Sequence, residues 1–274
     1  MAKIHTVEWT PAILVHPTLQ TGMRINWWGA VGEKLNGIVS RPTKGLDHQA
    51  HSGLRFVSVY RMHPLIPDTI ALFDSSTGTH HSTLPTKDVL FTQAHSPFRS
   101  GLTLSDAFYS LGINYAGAIT TNNYPDFLRS LRTPDGQFRD LATFRRLLGM
   151  SAPATFAELT GGNGTLAREL EEVYGDIELV DVLVGSHSEP LIPGFGFGDT
   201  AFRIFVVMAS NRLKSDRFFA QAWNEETYTA EGLAWVQRTG MKDVLLRHCP
   251  DLHRVLRHCD NVFAPWAKLP RSRA

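Results

Sequence analysis

Tyr60-Arg61-Met62-His63-Pro64-Leu65-Ile66-Pro67-Asp68 is the stretch whose reading decides the fold. It sets a phenol and an imidazole three residues apart, and residues at i and i+3 share one face of a helix. Ser58-Val59 leads in and Thr69-Ile70-Ala71-Leu72-Phe73 leads out, so both rings stand in apolar surroundings. Pro64 lacks a backbone donor and predicts the end or a kink of a helix running from about Gly53. Pattern alone leaves two readings of His63: an axial metal ligand, or a core histidine satisfied by a backbone carbonyl. Tyr60 is open in the same way, because a buried tyrosine is ordinarily a hydrophobic body with its hydroxyl paired.

Outward from this stretch the periodicity is helical, and the expected class is mainly α. Trp9 to Leu35 predicts helix broken near Pro17, Leu102 to Ile119 predicts helix, and Asn122-Asn123-Tyr124-Pro125 breaks it. Short helices are expected at Tyr124–Leu131, Leu141–Leu148, Thr155–Leu159 and Asp181–Ser188. Thr165 to Tyr174 is amphipathic and acidic, with Gly175-Asp176 as its stop. Thr200 to Phe219 predicts the longest helix, capped by Asp199 or Thr200. Thr239–His248 and a weaker helix follow. Ser75 to Ser100 reads as an irregular surface excursion and Pro190 to Gly198 as a loop. Strand signals are few.

Composition excludes several classes. Hydrophobic residues make up 43% and charged residues 19%, an ordinary globular balance. A net charge of +1 gives no electrostatic reason to expect nucleic acid. No apolar run reaches the ~20 residues of a bilayer span, and the first residues do not read as a signal peptide. Two cysteines exclude a disulfide scaffold. The expected location is cytoplasmic, with peripheral membrane association as the alternative. His248, His253 and His258 recur beside Cys249 and Cys259, but the spacing fits no usual zinc pattern, and solvated histidines are the expectation. Glu171, Glu172, Asp176 and Glu178 read as a solvated face.

The run Phe56-Val57-Ser58-Val59-Tyr60-Arg61-Met62-His63 resembles the proximal-haem helix of the peroxidase–cyclooxygenase superfamily, closest to the fatty-acid α-dioxygenases. The resemblance implies a helical peroxidase-type domain, haem b with His63 as proximal axial ligand, and Tyr60 as a radical-forming tyrosine. Complete family domains can carry calcium, for which no residue here is assigned. Ile4-His5-Thr6-Val7-Glu8-Trp9-Thr10 is similar to a family segment that helps fix the substrate carboxylate, which puts those roles on His5 and Thr10. Met208 to Phe219 looks like the family's C-terminal region and puts a carboxylate-binding arginine on Arg212. Phe202, Phe205, Ala209 and Arg212 fall at helical spacing, so an apolar stripe lining an acyl channel and ending in a guanidinium fork is one reading. An exposed Arg212–Asp216 pair is the other, and Arg217 is the alternative if the register shifts by a turn.

The implied chemistry is removal of hydrogen from the carbon next to a fatty-acid carboxylate, followed by dioxygen addition to give a 2-hydroperoxy acid. The expected partners are a fatty acid, dioxygen or peroxide, and a chain supplying an N-terminal half. The whole of 1–274 is expected to be one partial domain, the C-terminal part of the family's catalytic unit. Only 62 residues precede His63, and none resembles the distal-histidine helix; His16 is tempting there but is not assigned. The stretch from Asp126 to Thr143 is also shorter than the family's. A split enzyme, a truncated gene and a misplaced start codon all account for this. The alternatives in function are a haem peroxidase oxidising small donors and a non-enzymatic fragment.

Overall fold

A computed structural model describes residues 1–23, 62–121, 123, 125–126, 140–205 and 222–270. The N-terminal helix α1 has three parts: Ala2–Ile4 and Thr10–Ile13 in α geometry, with His5–Trp9 in π geometry between them. Pro11 accounts for the wide turn. In a regular α-helix its ring would press on the carbonyl four residues back, and widening the preceding turn relieves that. The chain leaves helix at Leu14–His16 and re-enters it over 17–23 (α2), so the break expected near Pro17 is present. Helix already begins at Ala2, earlier than the periodicity suggested.

Thr69–Phe73 (β1) and His80–Pro85 (β2) pair antiparallel, with a bulge between Leu72 and Phe73. The expected irregular excursion is therefore partly a hairpin. Its turn is made by Asp74, whose Oδ1 accepts from the backbone N–H groups of Ser76 (2.8 Å) and Thr77 (2.7 Å). Gly78 takes φ +72°, and a Cβ there would stand 2.9 Å from Leu269 Cβ. Short 3-10 turns carry the chain on to α3, Leu104–Ile113. A reciprocal Thr103–Asp106 capping box starts α3. It ends six residues before the expected Ile119.

The next helices follow their caps closely. Asp140 caps Leu141–Leu147 (α4), Thr155 caps Phe156–Leu159 (α5), Asn163 caps Gly164–Tyr174 (α6) and Asp181 caps Val182–Ser188 (α7). Gly175 closes α6 at φ +68°. Glu171, Glu172 and Asp176 are exposed, while Glu178 pairs with Arg146 at 2.5 and 2.7 Å. Helix α8, described over 199–205, starts one residue earlier than expected: Gly198 precedes it and accepts from Phe202 N–H at 3.0 Å.

Glu225–Arg238 (α9) was not anticipated. Thr229 kinks it at φ +61°, and its hydroxyl accepts from Gly232 N–H at 3.1 Å to restart the helix. Met241–His248 (α10) and His253–Leu256 (α11) complete the described elements. His248, His253 and His258 are exposed, whereas Cys249 is buried.

Two cores result. One gathers Leu14, Leu19 and Met23 with Ile119, Leu141, Phe144, Leu170, Val180, Phe195 and Phe205, and packs Met62 and Leu65 at its edge. The other joins Tyr109 and Ile113 of α3 to Leu245, Leu252, Leu256 and Trp266. No helix among the described residues is long and apolar enough to cross a membrane. The protein is mainly α, with one small hairpin among the described residues.

Candidate functional site

His63 opens a 3-10 turn, His63–Leu65. The residue before a proline is disfavoured in the α region, and the turn closes instead through Leu65 N–H to Met62 O at 3.0 Å. Pro64 is fully buried. Its carbonyl accepts from Asn123 Nδ2 at 3.1 Å, and Leu65 O accepts from Gly117 N–H at 3.2 Å. A Cβ at Gly117 would stand 2.5 Å from Pro64 O, so this approach requires glycine. Further along, Thr86 Oγ1 donates to Pro67 O at 2.5 Å, and Asp126 N–H donates to Asp68 Oδ1 at 2.7 Å. The backbone after His63 is thus held from 86, 117 and 123, and the Asp68 side chain from 126. The His63 side chain, Tyr60 and Arg212 lie outside the described residues.

His5 and Thr10 bound the π-turn. Thr10 N–H donates to His5 O, a bond across five residues. In an α-helix these two positions would diverge by about 140°; the i to i+5 bond of the wider turn narrows that angle. His5 is exposed and its ring stacks on Trp9 at 4.7 Å. Thr10 is completely buried, and its Oγ1 has no hydrogen-bond partner among the described residues. Such an unsatisfied hydroxyl costs about 1–3 kcal/mol, so an occupant that bonds to it would recover that energy.

The described start of the apolar stripe is used for packing. Phe202 and Phe205 surround Phe195 at ring separations of 5.2 and 5.8 Å. His16 meets Phe202 edge-on at 5.4 Å, and its Nδ1 is buried without a partner among the described residues. At the start of α8, Glu189 accepts from Arg145 Nη1 (2.6 Å), from Thr200 N–H (2.8 Å) and from the Thr200 hydroxyl. Burial pushes the Glu189 carboxyl above its usual range, while Thr200 and Arg145 pull it back. This cluster fixes the start of α8. A separate pocket of about 390 Å³ is lined by Thr120, Thr121, Thr160, Asn163 and Glu189 among others. Neither His5 nor Thr10 lines it.

Glu8 was not singled out from sequence, yet it holds the π-turn to the C-terminal region. Its Oε1 accepts from Lys3 Nζ at 3.2 Å and its Oε2 from Met241 N–H at 2.8 Å. Asn261 Nδ2 donates to its backbone carbonyl at 2.9 Å. These partners lie 233 and 253 residues away, beyond the reach of any local pattern.

The fold and these segments define a class. A family model for animal haem peroxidases matches residues 1–262, and the chain belongs to that family. Within it the similarity is to α-dioxygenases. Alpha-dioxygenase 2 of Arabidopsis thaliana is 36% identical over 314 residues, covering 98% of this chain and 49% of that protein. The crystal structure of Oryza sativa fatty acid alpha-dioxygenase superposes with a TM-score of 0.81 at 30% identity, covering 97% of this chain and 50% of the other. A tyrosine-to-phenylalanine variant of the Oryza sativa protein, solved with palmitic acid, gives 0.80 at 29% identity over the same shares. The chain spans about half the length of the relatives it matches.

Proposed function

We propose that this chain is the proximal, C-terminal part of a haem-dependent fatty-acid α-dioxygenase. The observation that carries the reading is backbone and sequence similarity to fatty acid α-dioxygenases over nearly the whole chain. His63 would hold the haem iron, for which a neutral imidazole is a suitable ligand. Pro64 is buried beside His63, and Met62 and Leu65 pack against the core, surroundings suited to an apolar macrocycle face. Haem, when bound, supplies the one-electron oxidising power.

The chain's residues do the rest. Tyr60, having lost an electron and its phenolic proton, takes a hydrogen atom from the carbon beside the carboxylate. The C–H bond breaks and the tyrosine O–H re-forms. Dioxygen adds to the carbon radical, and the peroxyl product takes the hydrogen back from Tyr60, leaving a 2-hydroperoxy fatty acid. Thr10, His5 and Arg212 hold the carboxylate so that this carbon faces Tyr60, which is a positioning contribution. The buried, unpartnered Thr10 hydroxyl supports this assignment.

The half-length match supports a second element: turnover requires a chain supplying the N-terminal half. The test is fatty-acid-dependent oxygen uptake by the haem-loaded chain, alone and mixed with such a half, beside oxidation of a small phenolic donor. Tyr60→Phe should abolish oxygen uptake and spare haem binding. Oxygen uptake that survives Tyr60→Phe overturns the radical role, and donor oxidation without any fatty-acid dependence favours a plain peroxidase.

A further inference from the structure

We propose that Glu8 is a positioning residue for the carboxylate site, clamping the π-turn so that Thr10 and His5 keep the alignment that site needs; this rests on the reading of Thr10 and His5 given above. The π-turn is not the default geometry of the segment. Regular α geometry would swing Thr10 about 140° from His5, and Pro11 forbids that only from one side. Glu8 sits inside the turn and is fastened at three points. Its Oε2 takes the Met241 N–H, one of the first amides of α10, which lack partners within their own helix. Its Oε1 takes Lys3 Nζ, which also donates to Thr239 O at 3.0 Å. Its carbonyl is taken by Asn261.

The clamp is built for close approach. A Cβ at Gly240 would lie 3.1 Å from Glu8 Oε1, a tight contact with the tip of that side chain. The Lys3–Glu8 pair is shielded, with side chains only 14% and 20% exposed. A pair so enclosed holds its geometry better than a solvated one. Asp243 separately accepts Gly240 N–H at 2.8 Å, so α10 keeps a capping bond when Glu8 is changed. Loss of Glu8 therefore releases the π-turn more than it unravels α10.

The experiment measures binding of hexadecanoate and of hexadecan-1-ol to the full 274-residue chain by tryptophan fluorescence, with Tm recorded alongside. The ratio of the two affinities reads the carboxylate contacts alone. Glu8→Ala is expected to cut the preference for the acid about tenfold, leave the alcohol's affinity unchanged, and be largely rescued by Glu8→Gln, which still accepts from Met241. Asn261→Ala, which removes the bond to the Glu8 carbonyl together with the Oδ1 acceptor of the Phe263 N–H, should lower the preference in the same direction and serves if Glu8→Ala folds poorly. A fall in Tm with both affinities reduced equally overturns the proposal. So does an intact preference in Glu8→Ala when Thr10→Val abolishes it. A native chain without any preference for the acid refutes the carboxylate site itself, and the positioning role falls with it.

Discussion

Thr10→Val exchanges a single hydroxyl for a methyl group and so isolates one atom of the account. Thr10 is completely buried and its Oγ1 meets no hydrogen-bond partner. A buried oxygen that meets no partner among the described residues costs about 1–3 kcal/mol. Both residues are β-branched and close in helix propensity, so backbone effects nearly cancel. Taking the low end because neighbours adapt, the variant should be about 1 kcal/mol more stable than the native chain, a rise in Tm of roughly 2 °C at this size. The same exchange removes a group that would bond the carboxylate, so hexadecanoate should bind about tenfold more weakly. Thermal unfolding with and without hexadecanoate reads both effects. The variant should melt later alone and gain less from the ligand. A variant about 1 kcal/mol less stable than native would mean the hydroxyl is already satisfied, and the reasoning fails.

Gly112→Ala would put a Cβ 2.1 Å from Trp266 Cδ2 in the second core; displacing that ring should cost about 2–3 kcal/mol in urea unfolding. Arg145→Met leaves Glu189 buried without its cation, at a cost of about 3–5 kcal/mol. The Glu189 carboxyl already stands above its unfolded value, mainly through burial, and loss of Arg145 raises it further. The deficit should therefore be smallest in acid and grow as pH rises from about 4 to 7, measured by urea unfolding across that range. Asp74 is held down at about 2, first by the Ser76 hydroxyl and then by the Thr77 amide, from an ordinary 3.8. Its contribution to the hairpin is present above 3.8 and lost as pH falls toward about 2. Asp74→Ala should thus cost about 0.5–1 kcal/mol at neutral pH, with the gap to native closing by that acid limit.

Local chemistry made the helical middle of the chain legible. Asp140, Thr155, Asn163 and Asp181 each sit where a side-chain oxygen can meet amides two or three residues on, and each does so. The hairpin was hidden because Thr69–Phe73 looks like a continuation of an apolar run and its partner His80–Pro85 is mostly polar; only pairing across the Asp74 turn reveals it. Helix α9 was hidden by β-branched residues and a glycine around its kink at Thr229. The π-turn needed Pro11 to be read as acting backwards on the preceding turn. His5 and Thr10 were visible only through resemblance, since a solvent-facing histidine and a threonine carry no pattern of their own. Glu8 was not visible at all, because its partners lie at the far end of the chain.

The central claim is that His63 presents its imidazole to haem iron, and titrating ferric haem into the purified chain while following the Soret band tests it most directly. The account predicts saturable, stoichiometric binding in the native chain that is lost in His63→Ala, with Tyr60→Phe binding as the native does. Equal binding by native and His63→Ala chains, or no specific band from folded native protein even with the N-terminal half supplied, would contradict it.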